Sequence, residues 1–155
     1  MDWRNFVPAL THLSATGNLC DSMDGRSTSA NPTSSHWLFI FNQFMHPTGG
    51  AGRISADFRC VVRRWVAPRA FVRLELTYWA FHSQTASGMG DGMDFVVARG
   101  DTILANHSIV SGGGRVEQTI MLNNVQAGEV IDFRFGPRGN SDFDQGNMRA
   151  TFIVR

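Results

Sequence analysis

The chain has 155 residues and a net charge of +1, with charged residues at 17% and hydrophobic ones at 43%. That length fits one domain with a full hydrophobic core, and the balance argues against a disordered chain, a charged helical solenoid or an electrostatically driven nucleic-acid binder. No apolar run approaches the roughly 20 residues a membrane-spanning helix needs; the longest, Trp37-Leu38-Phe39-Ile40-Phe41, is strand length.

Residues 1–35 are irregular and end in a turn-rich run from Asp21 to Ser35. Such a stretch reads as a long loop, either an ordered binding loop or a lead-in to the domain. From His36 onward the pattern becomes that of strands, so one sandwich domain is expected over 36–154. His36–Phe44 comes first and is closed by His46-Pro47-Thr48-Gly49-Gly50-Ala51-Gly52. Ile54–Arg64 alternates, with Ile54, Ala56, Phe58, Cys60 and Val62 on one face and Ser55, Asp57, Arg59 and Arg63 on the other. This period of two marks a half-buried strand. Past Ala67-Pro68-Arg69, Phe71–His82 sets Val72, Leu74, Leu76, Tyr78 and Ala80 against Arg73, Glu75, Thr77, Trp79 and Phe81.

A glycine-rich loop, Ser87 to Gly92, leads into Met93–Ala98, and Arg99-Gly100-Asp101 reads as a tight hairpin turn into Thr102–Ala105, continued by His107–Ser111. Val116–Leu122, Val130–Phe135 and Met148–Val154 complete the set. Glycines in Asp91-Gly92 and in Gln126-Ala127-Gly128-Glu129 permit a positive φ, so the strands after them can start sharply. About eight strands at regular spacing, without an amphipathic helix, give an all-β antiparallel sandwich of jelly-roll type.

Three segments occur in an informative order: Val61-Val62-Arg63-Arg64-Trp65-Val66-Ala67-Pro68, then Asp91-Gly92-Met93-Asp94-Phe95, then Val125 to Phe133 running into Gly136-Pro137-Arg138-Gly139-Asn140-Ser141-Asp142-Phe143-Asp144. Together, over roughly residues 54–154, they resemble the carbohydrate-binding-module-like jelly-roll domains appended to multi-domain bacterial proteins, notably in planctomycetes. The resemblance implies a sandwich fold, a non-catalytic role, a glycan ligand and a secreted, periplasmic or cell-surface location. The trimeric jelly rolls of the tumour-necrosis-factor and complement-type families also place a strand after an Ala-Pro turn, but the Asp-Gly-x-x-Phe and Gly-Asn-Ser-Asp features fit them poorly. Asp2 and Arg4 precede a short, polar-interrupted stretch that does not read as a signal peptide.

Trp37, Trp65, Trp79 and Tyr78 can stack on the apolar C–H face of a pyranose. Trp79 stands on the polar side of its strand with Arg73, Glu75 and Thr77. Trp79 and Trp37 are the candidate platforms, and packing in the core accounts for each of the four aromatics as well. Arg63 and Arg73 occupy outward positions in the alternation, where guanidinium groups can grip an acidic sugar bidentately or simply face solvent. Asn140, Asp142 and Asp144 alternate in a glycine-flanked loop, as oxygen ligands converging on calcium would, with Asp91 or Asp94 as remote ligands; turn-capping accounts for the same pattern.

Neither a nucleophile elbow, a phosphate loop nor a dinucleotide fingerprint is present, and Glu75 with Asp94 is the one carboxylate pair singled out for glycosidase chemistry. Cys20 and Cys60 match no zinc or redox spacing; one disulfide and two thiols both fit. The expectation is a non-catalytic polysaccharide-binding module. The alternative is an assembly domain that docks proteins and forms an oligomer.

Overall fold

A computed structural model describes residues 39–41, 44–46, 61–83, 90–138 and 145–155. Among these, nine strands follow one another: β1 (Phe39–Phe41), β2 (Phe44–His46), β3 (Val61–Val66), β4 (Phe71–His82), β5 (Met93–Arg99), β6 (Thr102–Ile109), β7 (Val116–Val125), β8 (Val130–Pro137) and β9 (Gly146–Val154). Seven are long; β1 and β2 have three residues each.

The pairing is nested. β5 pairs with β6, β4 with β7, β3 with β8 and β2 with β9, all antiparallel, as in one long hairpin. Rolling that hairpin over puts alternate rungs into two sheets, β1-β2-β9-β4-β7 and β3-β8-β5-β6. The fold is therefore the expected all-β antiparallel sandwich, and the nested order is that of a jelly roll.

The core lies between the sheets, as the alternation demands. Leu74, Leu76, Tyr78 and Ala80 of β4 point inward and are fully buried, joined by Met148, Ala150 and Phe152 of β9. From the other sheet come Trp65, Phe95, Val97, Ile131, Phe133 and Phe135. Trp65 stacks on Phe152 at 4.1 Å between centroids, and Phe95 packs on Phe135 at 4.6 Å, so aromatic contacts carry much of the interior.

Two glycines earlier marked for turns have the conformation they were expected to need. Gly92 enters β5 at φ +103°, and Gly128 precedes β8 at φ +80°. The turn at Gly128 is fastened to the corner after β3, because the Gly128 N–H donates to the Ala67 carbonyl at 2.8 Å and the Ala67 N–H to Glu129 O at 2.8 Å.

Several details differ from the sequence expectation. The segment read as one strand, His36–Phe44, instead includes β1 and the first residue of β2, which pair as a hairpin with Phe41 opposite Phe44. Val72 was placed inward but is 81% exposed, because Phe71 and Leu74 are both buried and two outward residues separate them. The phase of β3 is also reversed. Arg63 and Trp65 register with Phe133 and Ile131, both core residues, so Arg63 faces the interior; Val62 and Arg64 are on the outer side.

Candidate functional site

The two outer faces of the sandwich differ in character. On the four-stranded sheet the outer face is itself covered: Val62, Val96, Ala98, Asp132 and Arg134 are all buried. There Arg64 donates from Nε and Nη2 to the two Asp132 oxygens at 2.8 and 2.9 Å, and Arg134 donates to the Gly100 carbonyl at 3.3 Å. On the five-stranded sheet the outer residues of β4, β7 and β9 are half-buried or exposed.

Register builds that open face row by row, since directly opposed residues in neighbouring strands share a side. Glu117, Trp79 and Arg149 form one row, Thr119, Thr77 and Thr151 the next, then Met121, Glu75 and Ile153. Phe81 extends the β4 line beyond Trp79, and Arg73, opposite Asn123, ends it at the far side. The Trp79 and Phe81 rings stack with centroids 5.7 Å apart and 27° between planes. The Arg115 guanidinium lies 5.7 Å from the Trp79 ring centroid, a cation–π contact, and also pairs with Glu117. The Thr77 and Thr119 hydroxyls are hydrogen-bonded at 2.9 Å.

At the other end of the face, Arg155 donates from Nε and Nη2 to both Glu75 oxygens, each at 2.9 Å. This contact, with the nearby Arg73 charge adding to it, holds the Glu75 carboxyl below the ordinary glutamate value. Glu75 thus remains an anion tied to Arg155, which suits an acceptor better than a general acid.

The sequence-derived candidates distribute as follows. Trp79 and Arg73 share the open face, six residues apart on one strand, or roughly 20 Å at the usual rise. Arg63 lies in the other sheet, inward and 5% exposed, so it does not join them. Trp37, Asn140, Asp142 and Asp144 lie outside the described residues, as do Cys20 and Cys60. Glu75 and Asp94 belong to opposite outer faces of the sandwich, since Phe95, the neighbour of Asp94, is in the core. Two sheets packed about 10 Å apart separate them beyond the roughly 5–9.5 Å that a glycosidase pair needs. Among the described residues no group of three His, Cys, Asp or Glu side chains is arranged to hold a metal ion.

Sequence reasoning missed Thr119, Thr151, Arg115 and Arg149 as companions of Trp79. The outward alternation of Arg149, Thr151 and Ile153 against Met148, Ala150 and Phe152 was available. What it lacked was the placement of β9 beside β4, a pairing between strands far apart in the chain.

No protein-family model matches the chain, and no curated protein does. Among solved structures it is similar to a family 35 carbohydrate binding module from an environmental isolate, at 14% identity and a TM-score of 0.40, over 83% of this chain and 94% of that one. The jelly-roll assignment stands on the strand pairing itself.

Proposed function

We propose that the chain is a non-catalytic module that binds a polysaccharide on the outer face of β9-β4-β7. The observation that carries this reading is the stacked Trp79–Phe81 pair, set beside a row of three threonines on the sheet face that is open. An aromatic ring offers a negative π face to the C–H side of a pyranose, while hydroxyl and guanidinium groups alongside can exchange hydrogen bonds with the sugar hydroxyls.

Same-face neighbours on a strand are about 6.6 Å apart, so a sugar over Trp79 sets the next unit of a glycan near the threonine row. Arg73 is too distant to touch the same sugar and would meet only an extended chain. That geometry favours a polysaccharide over a monosaccharide. A location outside the cytoplasm, secreted, periplasmic or at the cell surface, is where such a module would meet its ligand. Calcium at Asn140, Asp142 and Asp144 belongs to the same proposal and rests on the sequence alternation alone.

Pulldown on insoluble polysaccharides together with a glycan array tests the reading. The expected result is saturable binding that Trp79→Ala weakens about tenfold or more, equivalent to about 1.4 kcal/mol, with an unchanged circular dichroism spectrum. Retention on no glycan, combined with a stable oligomer by light scattering in which Trp79 is protected from solvent, would instead favour the assembly domain.

A further inference from the structure

Arg63 sits two residues before Trp65 on the inner side of β3, beside Phe133 in register. It is 5% exposed, and burial pulls its pKa down to about 10, so the side chain remains charged at neutral pH. A charge in apolar surroundings is costly unless a counter-ion meets it. Yet Nε and Nη2 have no hydrogen-bond partner among the described residues.

Those two nitrogens form one edge of the guanidinium, and the same edge is used repeatedly in this fold. In Arg64 it holds both oxygens of Asp132, at 2.8 and 2.9 Å. In Arg155 it holds both oxygens of Glu75, each at 2.9 Å. In Arg99 it holds both oxygens of Glu129. The two-point match of a planar fork to a carboxylate explains the repetition. Arg63 offers the same edge with no described residue on it.

We propose that Arg63 is a carboxylate receptor inside the sandwich, binding a small anionic ligand bidentately through Nε and Nη2. The place is reachable because β3 is an edge strand of its sheet among the described residues, and an edge strand opens locally at lower cost than the whole fold. Trp65, two residues along, stacks on Phe152 of β9, so the receptor lies on the seam where β3 closes over the other sheet. It faces the interior, whereas Trp79 faces outward from β4, so occupancy of one site leaves the other free. Either a free small carboxylate or a carboxylate carried on a sugar supplies the required chemistry.

The test is thermal unfolding at neutral pH and constant ionic strength, with chloride replaced stepwise by acetate or by glucuronate, for wild type, Arg63→Met, Arg63→Lys and Trp79→Ala. A ligand that binds only the folded state raises Tm in proportion to the logarithm of its concentration above Kd. The wild type and Trp79→Ala are expected to gain stability with either anion, Arg63→Lys less, and Arg63→Met not at all. Glucuronate acting at lower concentration than acetate would identify the sugar-borne source, and equal potency the free carboxylate. Should Arg63→Met not fold, the Arg63 Nε–H resonance of the wild type supplies the answer, with a saturable shift expected on adding acetate. An equal response in wild type and Arg63→Met, or an Nε–H resonance unmoved by both anions, overturns the proposal while leaving the reading of the Trp79 face intact.

Discussion

Tyr78 is the one tyrosine in the sequence, so its ionisation can be followed without labels or variants. Its ring is fully buried on the inner side of β4, edge-on to Phe95 and Phe133. The hydroxyl donates to Gln118 Oε1 at 2.8 Å and lies 2.8 Å from His107 Nε2. With its single proton given to Gln118, the phenol oxygen accepts from His107, whose Nε2 must then carry hydrogen. Burial pushes the phenol pKa up from 10.0 to about 12. The sign follows from the favoured form: the fold prefers neutral phenol, so the unfolded chain gives up its proton first. Tyr78 therefore leaves stability unchanged below about pH 10 and lowers it as the pH climbs toward 12. Two pH units correspond to at most about 2.7 kcal/mol, and to nearer half that at the edge of the sandwich, where Gln118 is exposed and solvent screens the group. Ultraviolet absorbance of the phenolate, read alongside circular dichroism, should give a native midpoint near 12, and one near 10 in strong guanidinium chloride. A midpoint near 10 while the native dichroism persists would refute the buried, doubly hydrogen-bonded phenol.

Three further outcomes follow from packing and charge. Gly92→Ala puts a Cβ 2.2 Å from the Ile109 carbonyl oxygen at φ +103°, so both clash and strain act, and a loss on the order of 3 kcal/mol in urea unfolding is expected. Trp65→Ala removes the ring stacked on Phe152 and should cost about 3–5 kcal/mol, lowering Tm by roughly 10 °C in a scanning calorimeter. Glu129 is held below the ordinary carboxylate value first by the Arg99 hydrogen bond, so its contribution is present at neutral pH and lost as the pH falls through the depressed folded value. The stability read from urea melts should accordingly fall less between about pH 5 and 3 for Glu129→Gln than for wild type.

The class of fold was readable because β4 and β7 each have one wet face, so hydrophobicity alternates visibly along them. Trp79 was found for that reason. Arg63 was misplaced for the opposite reason. On β3 the outward Val62 and the inward Trp65 are both buried, and a strand covered on two sides loses the alternation that reports its phase. The run from Ile54 to Cys60 then set the phase, and a shift of one residue turns every side chain over. The candidate face as a whole was beyond reach because its rows join β7, β4 and β9, strands brought together only when the long hairpin rolls up. Local propensity carries no information about such a pairing.

The proposed seat of the glycan is the outer face of β9-β4-β7. Two-dimensional NMR titration of the protein with the oligosaccharide that the array selects tests it most directly. Saturable shifts of the Trp79 indole and of the Thr77, Thr119, Thr151 and Arg149 amides are expected, with Val62, Val96 and Asp132 unmoved. Shifts confined to the β3-β8-β5-β6 sheet, or a Trp79 indole that does not respond at saturation, would contradict it.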